Sequence, residues 1–253
     1  MRVLAVAHNT FREAVRDKVL YVLLFFAGAA IFGSKALGWI SIGQDLKIVK
    51  DISLAAIQVF GVLIAIFVGT NLVYKEIDKR TLYTILARPM RRYEFILGKY
   101  LGLCFLLGLV TLVMTGAAAV YVVALGGGLD GAFFLAVVLT YCELVLITAF
   151  AILLSSLTSP ILGALVVFSV FVLGHATEIL VDLPPQFDDT TAKRILECAY
   201  YVTPNLNNFN VRAQAANSVA VSFAYVAWAL VYGAAYTAML LVLAALVFED
   251  KDV

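Results

Sequence analysis

Charged side chains are so sparse along most of this chain that the apolar runs between them define its elements. Six runs reach or exceed the roughly 20 apolar residues a helix needs to cross the hydrocarbon of a bilayer: residues 19–40, 54–74, 95–125, 132–154, 161–180 and 219–248. Nearly every one is apolar on all sides, the pattern of a helix surrounded by lipid and other helices. The third and sixth runs are longer than a crossing needs, which predicts tilt, an interfacial extension or a break. Ahead of the first run the pattern becomes a helical stripe. Leu4, Ala7, Phe11, Ala14 and Val15 share one face, and Arg12, Glu13, Arg16 and Asp17 share the other. That arrangement predicts a helix lying in the membrane interface within residues 1–18.

Composition agrees with this reading. The chain is 63% apolar and 14% charged, with a mean hydropathy of +0.99, against about 45–50% apolar and about 25% charged in soluble domains. The expected fold class is an all-α integral membrane protein, a single transmembrane domain of six helices over residues 1–253. Ala27-Gly28-Ala29 has the small-residue character of a cleavage site, but 18 polar or amphipathic residues precede the run and further spans follow, so the first helix is read as retained. Cys104, Cys142 and Cys198 form no CxxC or His-Cys cluster, so neither a metal site nor a disulfide framework is expected. The net charge is +1 and no basic patch of groove size exists, so no nucleic-acid partner is expected.

Where the charges lie decides the expected orientation. With a cytoplasmic N-terminus, 12 of the 18 basic residues fall on the cytoplasmic side: four within residues 1–18, seven from Lys75 to Lys99, and Lys251. The opposite side receives six, and its long segment 181–218 also carries Asp182, Asp188, Asp189 and Glu197. An excess of Lys and Arg marks cytoplasmic loops. Both termini and segment 75–94 are therefore expected in the cytoplasm.

Segment 75–94 is more than a charged connector. Asp78 is placed to cap a short helix over residues 79–87 by accepting backbone N–H bonds of its first turn. Leu82, Ile85 and Leu86 then form one apolar stripe, and Pro89 ends the element by biasing Arg88 away from helical geometry. A helix this short does not hold alone, so its stripe needs a surface to dock on. Arg91, Arg92, Tyr93 and Glu94 open the third run, with the arginines placed to meet lipid phosphates and Tyr93 at the interface. The simpler reading, topology signals and lipid anchors, explains the arginines and leaves the capped stripe unexplained.

Glu76 follows the second run, Lys79-Arg80-Thr81-Leu82 begins the short helix, Arg88-Pro89-Met90-Arg91-Arg92 makes the turn, and Leu97-Gly98-Lys99 enters the third run. In order and spacing these features resemble the type-2 (ABC-2) permeases of ABC transporters, where an acid, a Gly-Thr-Leu-Glu-like helix, a Pro-Val-Ser-Arg-like turn and a Leu-Gly-Lys occupy the same places. Arg80 replaces the usual glycine and Tyr83 the usual acid. Leu154-Ser155-Ser156-Leu157-Thr158-Ser159-Pro160 is similar to the family's second cytoplasmic turn.

The resemblance implies that the short helix is a coupling helix seated in a separate ATPase subunit. The interface it implies comprises Glu76, Asp78, Lys79, Arg80, Thr81, Leu82, Tyr83, Ile85, Leu86, Arg88, Pro89, Arg91 and Arg92. It also implies two ABC ATPase copies that carry ATP and Mg, and a second permease copy forming a homodimer or a closely related heterodimer. The chain is not expected to be an enzyme by itself, because a Walker A loop needs G-x-x-x-x-G-K-[S/T]. Its one Gly-Lys pair, Gly98-Lys99, is followed by Tyr100 and has Tyr93 in the first glycine's place.

Inside the runs, Glu143 is the one carboxylate near mid-membrane, where an ionised group is costly and faces a bundle interior or wet cavity. It is a candidate for a cavity or gating role, or else a neutral acid bonded to Thr140 or Thr148. His175 and Glu178 are i, i+3 with Asp182 on the same face, which reads as interface polarity or as a metal or proton site; His8 reads as solvated. No Ser or Cys arrangement near either histidine suggests nucleophilic chemistry. Gly102, Gly108, Gly116, Gly163 and Gly174 are expected where helices approach closely, although no GxxxG match names a dimer face.

Segment 181–218 holds Pro184-Pro185, a helix expected over residues 190–201, and the turn Pro204-Asn205-Leu206-Asn207-Asn208-Phe209. By resemblance it roofs a cavity; alternatively it binds an extracytoplasmic partner. The rival functions are an ion- or proton-coupled carrier, which needs a relay of ionisable groups where this chain offers essentially Glu143, and a mechanical transmitter acting through segment 181–218.

Overall fold

A computed structural model describes residues 2–38, 44–78, 91–177 and 203–249. Among the described residues the elements are α1 Arg2–Val15, α2 Lys18–Gly38, α3 Asp45–Asp78, α4 Arg92–Ala124, α5 Gly131–Leu157 and α6 Pro160–His175, then a 3-10 turn Leu206–Phe209, α7 Arg212–Ala216 and α8 Phe223–Glu249. Helices α2, α3, α4, α5 and α8 are long and apolar enough to cross a membrane. Helix α6, with 16 residues, extends about 24 Å and falls short of a bilayer core of about 30 Å. Five full spans are therefore described where six were expected.

Helix α6 ends at His175, followed by Ala176 (φ −99°, ψ 20°). The returning segment packs against that end. A Cβ on Gly174 would stand 2.6 Å from Leu206 Cγ and 2.8 Å from the Pro204 carbonyl oxygen. Hydropathy along one run cannot register that a later part of the chain fills the same depth.

Helix α3 departs from its apolar run in the other direction. Its 34 residues extend about 51 Å, starting nine residues before the predicted span and ending at Asp78. The early start is polar yet helical because Lys50 and Asp51 find partners on other elements, Asp130 at 2.9 Å and Arg212 at 3.4 Å. At the far end Glu76 and Asp78 lie in the last turn of α3. Lys79, Arg80, Thr81, Leu82, Tyr83, Ile85, Leu86, Arg88 and Pro89 lie outside the described residues, as do the helix expected over 190–201, Glu178 and Asp182.

Helices α3 and α5 form the centre of the bundle and supply much of its buried apolar core, including Leu54, Ile57, Ile64, Leu144, Ile147 and Ala151. Helices α2 and α8 lie at the periphery and turn Phe25, Phe223 and Trp228 outward. A broad outward apolar surface of this kind is unstable in water and suited to lipid.

Helix α1 packs along the start of α4 through most of the expected stripe. Ala14 is buried and Phe11 and Val15 pack against the core, while Leu4 is 69% exposed and Thr10, outside that stripe, is buried. The reason is a groove in α4: a Cβ on Gly98 would meet Val6 Cβ at 2.6 Å, and one on Gly102 would meet the Ala7 carbonyl oxygen at 2.6 Å. The GxxxG spacing of Gly98 and Gly102 thus receives α1. Phe11 meets Phe105 edge to face at 5.0 Å, and Lys99 lies buried beneath the contact, 3.7 Å from Glu13.

Candidate functional site

A polar cluster crosses the centre of the bundle. Glu143 lies about halfway along α5, about 20 Å from that helix's start at 1.5 Å per residue, and is fully buried. Gln58 on α3 donates from Nε2 to Glu143 Oε2 at 2.8 Å, and the same nitrogen is 3.0 Å from His175 Nε2. His175 closes the triangle, with Nε2 3.5 Å from Glu143 Oε1 and Nδ1 3.1 Å from the Phe171 carbonyl oxygen. Three helices are tied together at one point, in a medium where an unpaired polar group costs several kcal/mol.

Sequence reasoning singled out Glu143 and His175 separately and missed that they meet. The local partners expected for Glu143 are not the ones it uses, since Thr148 turns back to the Leu144 carbonyl of its own helix. Gln58 was missed because a single neutral amide does not interrupt an apolar run. The available signal was its position as a polar side chain deep within the second run, where amides join helices. No group of three or more metal-ligating side chains occurs among the described residues.

Above the cluster the returning segment packs into the bundle. Leu206, Phe209, Val211 and Ala215 are buried. The Asn205 side chain caps the 3-10 turn by accepting from the Asn207 N–H at 3.1 Å, and its own N–H donates to the Tyr232 hydroxyl at 2.8 Å. Arg212 then reaches Asp51, with Nε 3.4 Å from Oδ1, although no hydrogen bond satisfies that nitrogen. At the end of α3 and α5, Asp130 accepts from Lys50 Nζ at 2.9 Å and from the Ser218 hydroxyl. Ser218 holds φ 55°, an uncommon conformation for a residue with a side chain. The Ser218 hydroxyl first, and Lys50 second, hold the Asp130 carboxyl below its usual range.

The opposite end of the bundle carries those predicted interface residues that are described. Arg91 caps α4, its N–H donating to Glu94 Oε2 at 3.0 Å, and its guanidinium reaches the Tyr93 hydroxyl at 3.3 Å. Arg92 donates to the Phe248 carbonyl oxygen at 3.0 Å and so satisfies one of the open carbonyls at the end of α8. Phe95 stacks on Phe248 in the same place. The structure therefore brings together α1, the start of α4 and the end of α8, with the last turn of α3 leading into segment 79–90.

Residues 4–253 match the family described as ABC-2 family transporter protein. The chain is also similar to the probable ABC transporter permease protein NosY of Pseudomonas aeruginosa, 30% identical over 125 residues that make up 47% of this chain and 45% of that protein. The match spans less than half of that curated relative's length.

Proposed function

The chain belongs to the ABC-2 transporter family and is a multi-pass membrane permease, and from that premise we propose that it is the membrane subunit of an ATP-driven exporter in a bacterial inner membrane. The match over nearly the whole chain carries the reading. The family implies an ATPase partner and a paired permease. Two ATPase copies would hold ATP and Mg, and the second permease would be an identical or closely related chain.

In this reading the end with Arg92 and Phe248 faces the cytoplasm, as the Lys and Arg bias indicates. The coupling interface runs from Glu76 through Leu82, Ile85 and Leu86 to Arg92. Closure of the two ATPase copies would press the paired 79–87 segments together. The push would pass into α3 and α4, which flank that segment in the chain, and tilt them as packed units. Helix α6 forms part of the sixth crossing, and segment 203–218 closes the outer half of the bundle.

The test is co-purification from native membranes in mild detergent. An ATPase with a Walker A loop should accompany the wild-type chain at about one to one and be lost from the double variant Leu82→Asp, Leu86→Asp. A wild-type preparation with no ATPase would overturn the reading in favour of a stand-alone carrier.

A further inference from the structure

The hydrogen-bond valences of the central cluster leave one atom unexplained. Glu143 Oε1 is buried and accepts no hydrogen bond among the described residues, although Oε2 is satisfied by Gln58. His175 Nδ1 faces a carbonyl oxygen, which accepts only, so Nδ1 carries a hydrogen. The Gln58 amide has two hydrogens, and one Nε2 contact with Glu143 and one with His175 uses both. His175 Nε2 then accepts and its ring is neutral. An ionised Oε1 would face that lone pair at 3.5 Å across a dry interior. A hydrogen on the carboxyl removes the conflict, because a neutral acid no longer sets a negative charge against that lone pair, which Gln58 already occupies.

Placing the proton on Nε2 instead sets two donors, Nε2–H and the Gln58 amide, against each other at 3.0 Å. Turning the amide over relieves that contact only by setting its oxygen 2.8 Å from Glu143 Oε2. The arrangement therefore fits a cluster with one proton more than a carboxylate and a neutral imidazole provide.

We propose that Glu143 and His175 form a proton-binding site, which holds one exchangeable proton on the Glu143 carboxyl beside His175, with Gln58 fixing both partners. On release the O–H bond breaks, the electron pair stays on the carboxylate and the proton passes to water. Arg212 on α7, paired with half-exposed Asp51, is the charged pair of the returning segment that packs above the cluster. Tyr141 on α5 donates to the Cys104 carbonyl oxygen of α4 at 3.0 Å. This site does not depend on what the permease moves or on which ATPase drives it.

The experiment is infrared difference spectroscopy of the purified full chain in lipid nanodiscs, titrated from about pH 5 to about pH 9, a range that brackets ordinary Glu and His behaviour. The expected wild-type signal is a protonated-carboxyl C=O band that titrates within the range and is absent from Glu143→Gln. His175→Gln should shift its midpoint. A wild-type chain with no such band at any pH, or a midpoint that His175→Gln leaves in place, overturns the proposal. If Glu143→Gln fails to fold, the His175→Gln comparison decides alone.

Discussion

At the residue scale, the strength of the central cluster comes from mutual satisfaction. Removing Gln58 leaves Glu143 Oε2 and His175 Nε2 without their donor in a dry interior. Gln58→Leu should therefore cost about 1–2 kcal/mol in detergent-mediated unfolding of the reconstituted chain. Thr148→Val, which loses only a bond to its own helix, should stay within about 0.5 kcal/mol. The difference between the two variants measures what tying helices together adds.

Asp130 makes a pH prediction with a definite sign. Its carboxyl is held below the usual range by Ser218 and Lys50, so its stabilisation is present above the ordinary carboxylate value of about 4 and is lost as pH falls through the lower folded value. Protection of segment 203–218 from hydrogen exchange, taken relative to the free-peptide rate at each pH, should be high at neutral pH and fall only at more acid pH. In Asp130→Asn it should already be low at neutral pH.

At the scale of elements, the contact between α1 and α4 leaves neither glycine room for a side chain. A Cβ on Gly98 would press on Val6 Cβ at 2.6 Å with the Val3 carbonyl oxygen 3.0 Å away, and one on Gly102 on the Ala7 carbonyl oxygen at 2.6 Å. Gly98→Ala and Gly102→Ala should each destabilise, by about 1–3 kcal/mol as for other overpacked contacts. Melting of the two variants followed by fluorescence in one detergent would check this.

This contact also shows what was legible beforehand. The existence of α1, the five long spans and the start of α4 at Arg91 and Arg92 were readable because period and charge are local properties of the chain. So was most of the α1 stripe that docks, Ala7, Phe11, Ala14 and Val15. Its end was not: Leu4 fits an apolar face as well as Val6 does, and only the groove at Gly98 and Gly102 selects between them. Arg212 was hidden for a similar reason, since it lies in a segment without periodicity and gains its meaning from Asp51, far away in the chain. Glu143 stood out as a lone carboxylate, while its partners belong to two other helices.

At the scale of the whole molecule, α3 runs from one polar end of the bundle to the other. It begins beside Lys50 and Asp51, which hold Asp130 and Arg212, and ends at Asp78, next to the proposed coupling segment. A continuous helix transmits tilt along its length with little bending. Binding of the ATPase partner with a slowly hydrolysed ATP analogue should therefore change hydrogen exchange in segment 203–218 as well as near Asp78. A change confined to the Asp78 end would show that α3 does not link them.

The order in which the central cluster is synthesised has a consequence for how the protein is made. Gln58 emerges 85 residues before Glu143, a wait of about 4–17 s at ordinary translation rates of about 5–20 residues per second. His175 follows later still. Each polar side chain enters the membrane ahead of a partner, and a mid-span carboxyl resists partitioning into lipid by about 3 kcal/mol. Spans α3 and α5 should thus remain beside the insertion machinery until α6 arrives. A nascent chain arrested before His175 should crosslink to that machinery, and one arrested after Ser218 should have left it.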